Sequence, residues 1–400
     1  EMLRSLVGSE MCIRDRLKET ILEIIQQADL ILLGLCCAAS VFGIAMIYSA
    51  TRYNNDNRKI IVQTAALLIG IVVYFGISMI DLEMLIKRWK WIAAFDVLFI
   101  LLLKTPFGVS DDTGNTAWLK FPFLPVSIGP AEVVKITFII LLAWQLQWLR
   151  EEKRDLRSFS AAFYVGGHTL GIAGLYFVIS GDMGNALMFL LIFVVMSFVA
   201  GFALRWIFLG VGGAVGAFLA AWNLGLLRGD WYDRIKVILD HSYQPEKKGF
   251  QQTRGMLALG SGKLTGQGLF NGNRTQSGSL FAQHTDYIFS SMGEELGFVG
   301  CLAIMIMEMA IIARCIYVGM HCQDYMRRLV CYGAASALMF QVMINTGMCI
   351  GVMPVIGLTL PLISYGGSSV VSIYAMLGLV SGAHARPQSL SHERYVQPYR

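Results

Sequence analysis

Long apolar runs alternate with short polar stretches along most of the chain. A helix of about 20 apolar residues crosses the hydrocarbon core of a bilayer. On that spacing, spans are predicted near 30–50, 60–80, 89–104, 131–149, 161–180, 185–202, 206–224, 287–313, 329–350 and 364–384. The fold class expected is all-α: a polytopic membrane protein of about ten transmembrane helices. The tightest division lies between the fifth and sixth spans, at Gly181-Asp-Met-Gly184. Before the first span, residues 17–28 place Leu17, Ile21, Ile24 and Ile25 at helical spacing, which suits a short interfacial helix. Two connections are long, 105–130 and 225–286. No internal repeat recurs at a fixed period, which argues against an inverted-repeat transporter.

Charge orients this array. One set of short loops carries Lys87, Arg88 and Lys90, then Arg150, Lys153, Arg154 and Arg157, then Arg205, then Arg314, Arg327 and Arg328, then a tail with Arg386, Arg394 and Arg400. The opposite set of short loops carries Arg52, Arg58, Lys59 and Lys120. The positive-inside rule puts the first set, and both termini, in the cytosol. The loops 105–130 and 225–286 then face outward together, where functional loops are expected.

Composition agrees and excludes alternatives. Hydrophobic residues make up 56% and charged residues 15% of the chain, against about 25% charged in soluble domains. Nucleic-acid binding would need a basic face, and no Lys/Arg block is long enough to form one. Seven of the eight cysteines fall in or beside apolar runs, so they read as small buried hydrophobes rather than a disulfide framework. Residues 5–16 are what a transposase-type sequencing adapter ending in ATGTGTATAAGAGACAG encodes in one frame. Residues 1–16 are therefore read as an assembly artefact, with a short cytosolic leader as the alternative. Residues 29–384 form the transmembrane domain, and 385–400 a cytosolic tail.

Some motifs invite chemistry and fail. Gly260-Ser-Gly-Lys-Leu-Thr265 lacks the glycine and the Ser/Thr that a phosphate-binding loop needs around Lys263. The six histidines never pair at metal-ligand spacing. Ionisable groups within or beside the membrane are costly and usually functional. Here they are Asp96, Glu132, Lys135, Asp182, Asp286, Glu294, Glu295 and Glu308. Glu132 and Lys135 lie three apart on one helix face, either as a bracing ion pair or as a site for an anionic headgroup. Asp286 opens a span after the large loop, beside His284, Thr285 and Tyr287; alone, it could equally be a helix N-cap.

Gly351-Val-Met-Pro-Val-Ile-Gly-Leu-Thr-Leu-Pro-Leu-Ile-Ser-Tyr-Gly-Gly-Ser-Ser369, preceded by Gln341, Asn345 and Gly347, closely resembles the signature of the SEDS (shape, elongation, division, sporulation) family. His284-Thr-Asp-Tyr-Ile-Phe289 with Gly293-Glu-Glu-Leu-Gly-Phe-Val-Gly300 resembles its second block. Gly129-Pro-Ala-Glu-Val-Val-Lys135, Trp118, Asp182-Met-Gly184 and Tyr232-x-Arg234-Ile235 fall in family order, so the resemblance covers essentially 29–384. The chain departs from it at Ala282-Gln283, Ala117, Ala131 and Arg254-Gly255, which bears on substrate contacts around the loops. Gly366-Gly367 reads as a place for unusual backbone conformations, and Pro354 and Pro361 as a break in the last hairpin.

The resemblance implies polymerisation of lipid II, the undecaprenyl-pyrophosphate-linked disaccharide pentapeptide, at the outer face of a bacterial cytoplasmic membrane. It implies a single inverting displacement with Asp286 as general base. Trp118, Glu132, Lys135, Arg234 and His284 would contact substrate, with Lys135, Arg234 or a bound Mg²⁺ or Mn²⁺ steadying the pyrophosphate. A class B penicillin-binding protein is the implied partner. Met46-Ile-Tyr-Ser-Ala-Thr51 resembles the elongation (RodA) branch more than the division (FtsW) branch. The rival readings are a lipid II flippase, which would string charges such as Asp96, Glu132, Lys135 and Asp182 along a path through the bilayer, and a non-catalytic scaffold.

Overall fold

A computed structural model describes residues 25–54, 56–110, 115–122, 127–151, 156–225, 230–240 and 249–386. The expectations for 1–16, for most of 17–28 and for 387–400 lie outside the described residues.

Helices occupy every predicted span: α1 (Leu30–Thr51), α2 (Arg58–Ser78), the short α3 (Leu82–Ile86), α4 (Trp89–Leu101), α5 (Pro130–Glu151), α6 (Phe159–Ser180), α7 (Met183–Val199) and α8 (Leu204–Asn223). The large connection contributes α9 (Asp230–Leu239), α10 (Phe250–Ser261) and α11 (Asn273–Gln276), and then come α12 (Ile288–His321), α13 (Tyr325–Cys349) and α14 (Gly367–Ala385). Eight of these are long and apolar enough to cross a membrane. The third and sixth predicted spans are shorter than a full crossing, 13 residues in α4 and 17 in α7.

Helix ends follow local chemistry. Asp29, Asp81, Ser158, Asp182 and Asp324 each accept a backbone N–H at a helix start, satisfying donors that the helix itself leaves open. At the tight fifth-to-sixth division, α6 ends on Gly181 in the left-handed region and α7 starts on the Asp182 cap. The predicted 287–313 span is part of a longer element. α12 runs for 34 residues, roughly 50 Å at 1.5 Å per residue, more than the hydrocarbon core needs. Gly297 (φ 69, ψ −167) breaks it. The piece before the break joins the loop assembly, and the piece after it is the crossing.

α14 packs along α2 more closely than any other helix pair. A Cβ at Gly378 would lie 2.7 Å from the Tyr74 carbonyl oxygen, and one at Gly382 would lie 2.7 Å from that of Ser78. Small residues therefore set this contact, as in helix pairs that associate within lipid. α8 is the opposite case and buries no residue. Two apolar clusters result. One runs the length of the bundle, and the other, with Met46, Tyr287, Phe289, Met348 and Ile363, sits where α1, α10, α12 and α13 meet the loops. We call this the loop end, and the other the basic end. The seven described cysteines form no disulfide with one another.

Candidate active site

At the loop end, a cavity of about 300 Å³ opens between α5, α7, α9, the turn 281–286 before α12 and the non-helical segment 355–366. This volume is at the lower limit for small-molecule sites. Trp118, Glu132, Asp182, Arg234 and Asp286 all line it, although they come from five separate stretches of sequence.

Trp118 sits on β2 (Trp118–Leu119), which pairs antiparallel with β1 (Gly108–Val109). Its ring lies over the entry to α5, where a Cβ at Gly129 would approach it to 3.2 Å. Glu132, in the first turn of α5, accepts from Lys135 Nζ at 2.9 Å. Lys135 is buried and lies behind Glu132 rather than on the cavity wall. It borders a separate space of about 10 Å³ with Gln341 and Ser372. Asp182 accepts from Asn185 N and Nδ2 at 3.2 and 2.8 Å. Burial holds its carboxyl above the ordinary range, and the Asn185 bonds partly offset this. Arg234 donates to the Val355 carbonyl.

Asp286 lies in the turn before α12. The N-cap position of that helix falls on Tyr287, whose side chain makes no cap bond. The carboxylate of Asp286 points across the cavity, its Oδ2 3.9 Å from where a Cβ on Gly357 would stand. Its main chain is gripped from two sides: Asn345 Nδ2 donates to the Asp286 carbonyl at 2.9 Å, and Ser364 Oγ to the Thr285 carbonyl at 2.7 Å. His284 is beside the cavity rather than in its wall. Its ring packs on Tyr365 at 5.7 Å, and its carbonyl accepts from Tyr365 N at 2.8 Å. Burial, helped by Lys59, lowers the imidazole to about 4, so it is neutral near pH 7.

The remaining ionisable groups separate from this site. Glu294 accepts from Arg274 N, Thr275 N and Thr275 Oγ1 at 2.7–2.9 Å, and Glu295 accepts from Ser49 and Gln276. Both are fully buried and tie α12 to the large loop. Asp96 accepts from Thr137 Oγ1 at 2.5 Å. Ser368 Oγ accepts from Gly129 N. Gly366 is in extended backbone (φ 172), and the positive-φ residues of the stretch 350–366 are Gly351, Gly357 and Leu362. Gly255, one of the family departures, leaves room for the Tyr287 ring: a Cβ there would lie 2.7 Å from it.

Sequence reasoning gave the buried amides no role. Gln63 Nε2 donates to the Ser364 carbonyl, Gln252 Nε2 to those of Met348 and Met353, Gln283 Nε2 to those of Ala50 and Thr275, and Gln341 Nε2 to that of Thr359. Non-helical backbone at membrane depth needs such partners. The available signal was an amide inside an apolar run, as in Ile60-Ile-Val-Gln63. No group of three or more His, Cys, Asp or Glu able to hold a metal occurs among the described residues. A metal cage built from these residues alone does not fit.

The cell cycle protein family FtsW/RodA/SpoVE matches residues 22–388. A "Probable peptidoglycan glycosyltransferase FtsW" of Geobacter sp. (strain M18) is 30% identical over 369 residues, covering 90% of this chain and 97% of its own. Stage V sporulation protein E of Bacillus subtilis (strain 168) is 30% identical over 362 residues, covering 88% and 95%. Among solved structures, a chain from work on the coordination of polymerization and crosslinking by a peptidoglycan synthase complex matches with TM-score 0.75 and 28% identity, over 92% of this chain and 99% of that one. Rod shape determining protein RodA of Thermus thermophilus matches with TM-score 0.65 and 27% identity, over 89% and 96%.

Proposed function

The chain belongs to the FtsW/RodA/SpoVE family, and from that premise we propose that it is a multi-pass membrane peptidoglycan glycosyltransferase that joins lipid II disaccharides into glycan strands during elongation or division. The observation that carries the reading is the shared cavity of Trp118, Glu132, Asp182, Arg234 and Asp286. The basic-residue asymmetry supports cytosolic termini and an outward-facing loop end.

Asp286 accepts the proton of the acceptor sugar hydroxyl as that oxygen attacks the anomeric carbon of the donor. The donor's bond to pyrophosphate breaks on the opposite face, inverting the centre. Arg234, on the cavity wall, stabilises the charge growing on the leaving pyrophosphate. Lys135 contributes through Glu132, whose carboxylate it holds in place. Trp118 bounds the sugar path. Mg²⁺ or Mn²⁺ would be carried mainly by the pyrophosphate, with one or two carboxylates of the chain; EDTA titration of the activity measures that share. Beneath Glu132 lies a separate space of about 10 Å³, room for about one water, which favours surface chemistry over passage of a headgroup. A class B penicillin-binding protein is the proposed partner, which would cross-link the strands.

The test is purified protein with labelled lipid II, with and without such a partner. Asp286→Asn keeps size and shape but cannot accept a proton. It should bind lipid II normally and lose polymerisation by roughly a hundredfold or more. Polymerisation by this variant at the wild-type rate would remove Asp286 from the mechanism. Wild-type protein that moves lipid II across vesicles yet makes no strands would establish the flippase.

A further inference from the structure

The wall of the cavity opposite α5 is not helical. It is two irregular stretches, 282–286 and 357–366, lying side by side. Tyr365 N donates to the His284 carbonyl at 2.8 Å, and Ser364 Oγ donates to the Thr285 carbonyl at 2.7 Å while accepting from Leu360 N at 2.8 Å. The relative register of the two stretches therefore decides where Asp286 sits. Neither carries regular secondary structure to fix that register.

Gln63 supplies what is missing. It lies on α2 and is 1% exposed. Its Nε2 donates to the Ser364 carbonyl at 3.1 Å, and its Oε1 accepts from Gly366 N at 3.1 Å. One side chain thus satisfies both main-chain groups flanking Tyr365, as a neighbouring β-strand would. A carboxamide is the natural side chain for this, since it carries a donor and an acceptor and no charge. We propose that Gln63 is a positioning residue for glycosyl transfer: it locks the 364–366 segment to the bundle and, through Ser364 and Thr285, aims Asp286. The proposal rests on the reading of Asp286 as the base.

Glutamate at this position gives a readout that simple loss of stability does not. As a carboxylate it still accepts from Gly366 N but sets an acceptor against the Ser364 carbonyl. As a neutral acid it regains the donor and mimics glutamine. Burial raises a carboxyl's pKa, which brings that change into a workable range, between about pH 5 and 8. Gln63→Leu, Gln63→Glu and Asp286→Asn are compared with wild type in lipid II polymerisation across that range. Gln63→Leu should lower kcat by roughly ten- to a hundredfold, the scale of a misplacement near 1 Å, with KM little changed. Gln63→Glu should be as slow at pH 8 and regain activity as pH falls, opposite to the loss expected of wild type as its base protonates. If Gln63→Leu does not fold, the pH profile of Gln63→Glu decides alone. A flat or wild-type-like profile for Gln63→Glu while Asp286→Asn is inactive overturns the role of Gln63 and spares the base. Full activity of Asp286→Asn overturns both.

Discussion

The two ends of the bundle bury polar groups in different ways. At the basic end the buried groups are ions at helix termini. Arg314 Nε and Nη2 reach Asp29 Oδ2 and Oδ1 at 2.8 and 3.1 Å, and Asp29 also takes part in bonds with Ser381 and Tyr74. Arg327 lies between Asp324 and Asp81, at 3.6 and 3.8 Å. At the loop end the buried groups are mostly amides and hydroxyls that donate to carbonyls of irregular chain. The basic end has regular helix ends to tie together, and charge pairs do that with little regard for field. The loop end must hold a misshapen backbone around a cavity whose chemistry depends on a few charges. Neutral amides fix the chain and leave the field to Asp286, Glu132, Asp182 and Arg234.

The contrast can be broken most sharply at the basic end. Asp29→Ala removes the cap of α1 and the charge-assisted bonds to Arg314 and should cost about 2–4 kcal/mol, read as a large drop in melting temperature in detergent, while the rate per folded molecule stays at wild type. A variant that is equally stable, or slow when folded, would dissolve the division of labour. Asn345→Leu comes next. It leaves the Asp286 and Leu358 carbonyls without Asn345 as donor at about 1–3 kcal/mol for each buried group, and here polymerisation should fall with stability. Loss of stability with an unaltered rate would make the amides mere packing.

A smaller effect concerns pH. Because His284 titrates near 4 in the folded protein and near 6.5 unfolded, the unfolded chain binds more protons between those values. The stability gained from the neutral imidazole is present above about pH 6.5 and is lost as pH falls towards 4. His284→Gln should flatten that part of a melting-temperature profile; an unchanged slope would place the titration elsewhere. The smallest effect belongs to Glu308. It is fully buried midway along α12, and neither of its carboxylate oxygens has a hydrogen-bond partner among the described residues. Glu308→Gln should change stability by less than about 1 kcal/mol or raise it. A loss of several kcal/mol would reveal an ion pair that this picture lacks.

Much of this was legible in the sequence. Apolar run length located the helices, eight of them long enough to cross a membrane, because lipid forces backbone polarity to be satisfied within each helix. Asp182 at the tight turn and the Glu132–Lys135 spacing could be read because caps and i,i+3 pairs are local. The length of α12 could not, since the break at Gly297 depends on the loop that packs against it. Lys135 was placed on the substrate path because an ion pair at helical spacing does not tell which member faces the cavity. The roles of Glu294 and Glu295 were obscured because a buried carboxylate tied to backbone N–H groups and one tied to substrate look alike in a string of letters. Gln63 went unnoticed because, outside the family motifs, only ionisable residues were weighed.

The bond from Gln63 to Ser364 joins residues 301 apart, and that span sets a timetable. At roughly 5–20 residues per second, ribosomes deliver Ser364 about 15–60 s after Gln63. Throughout that interval the amide on α2 has no Ser364 carbonyl to meet. The cavity therefore belongs to the last stage of biogenesis, when the final hairpin arrives at donors already waiting for it. A chain released before α14 would hold most of its helices and none of its chemistry.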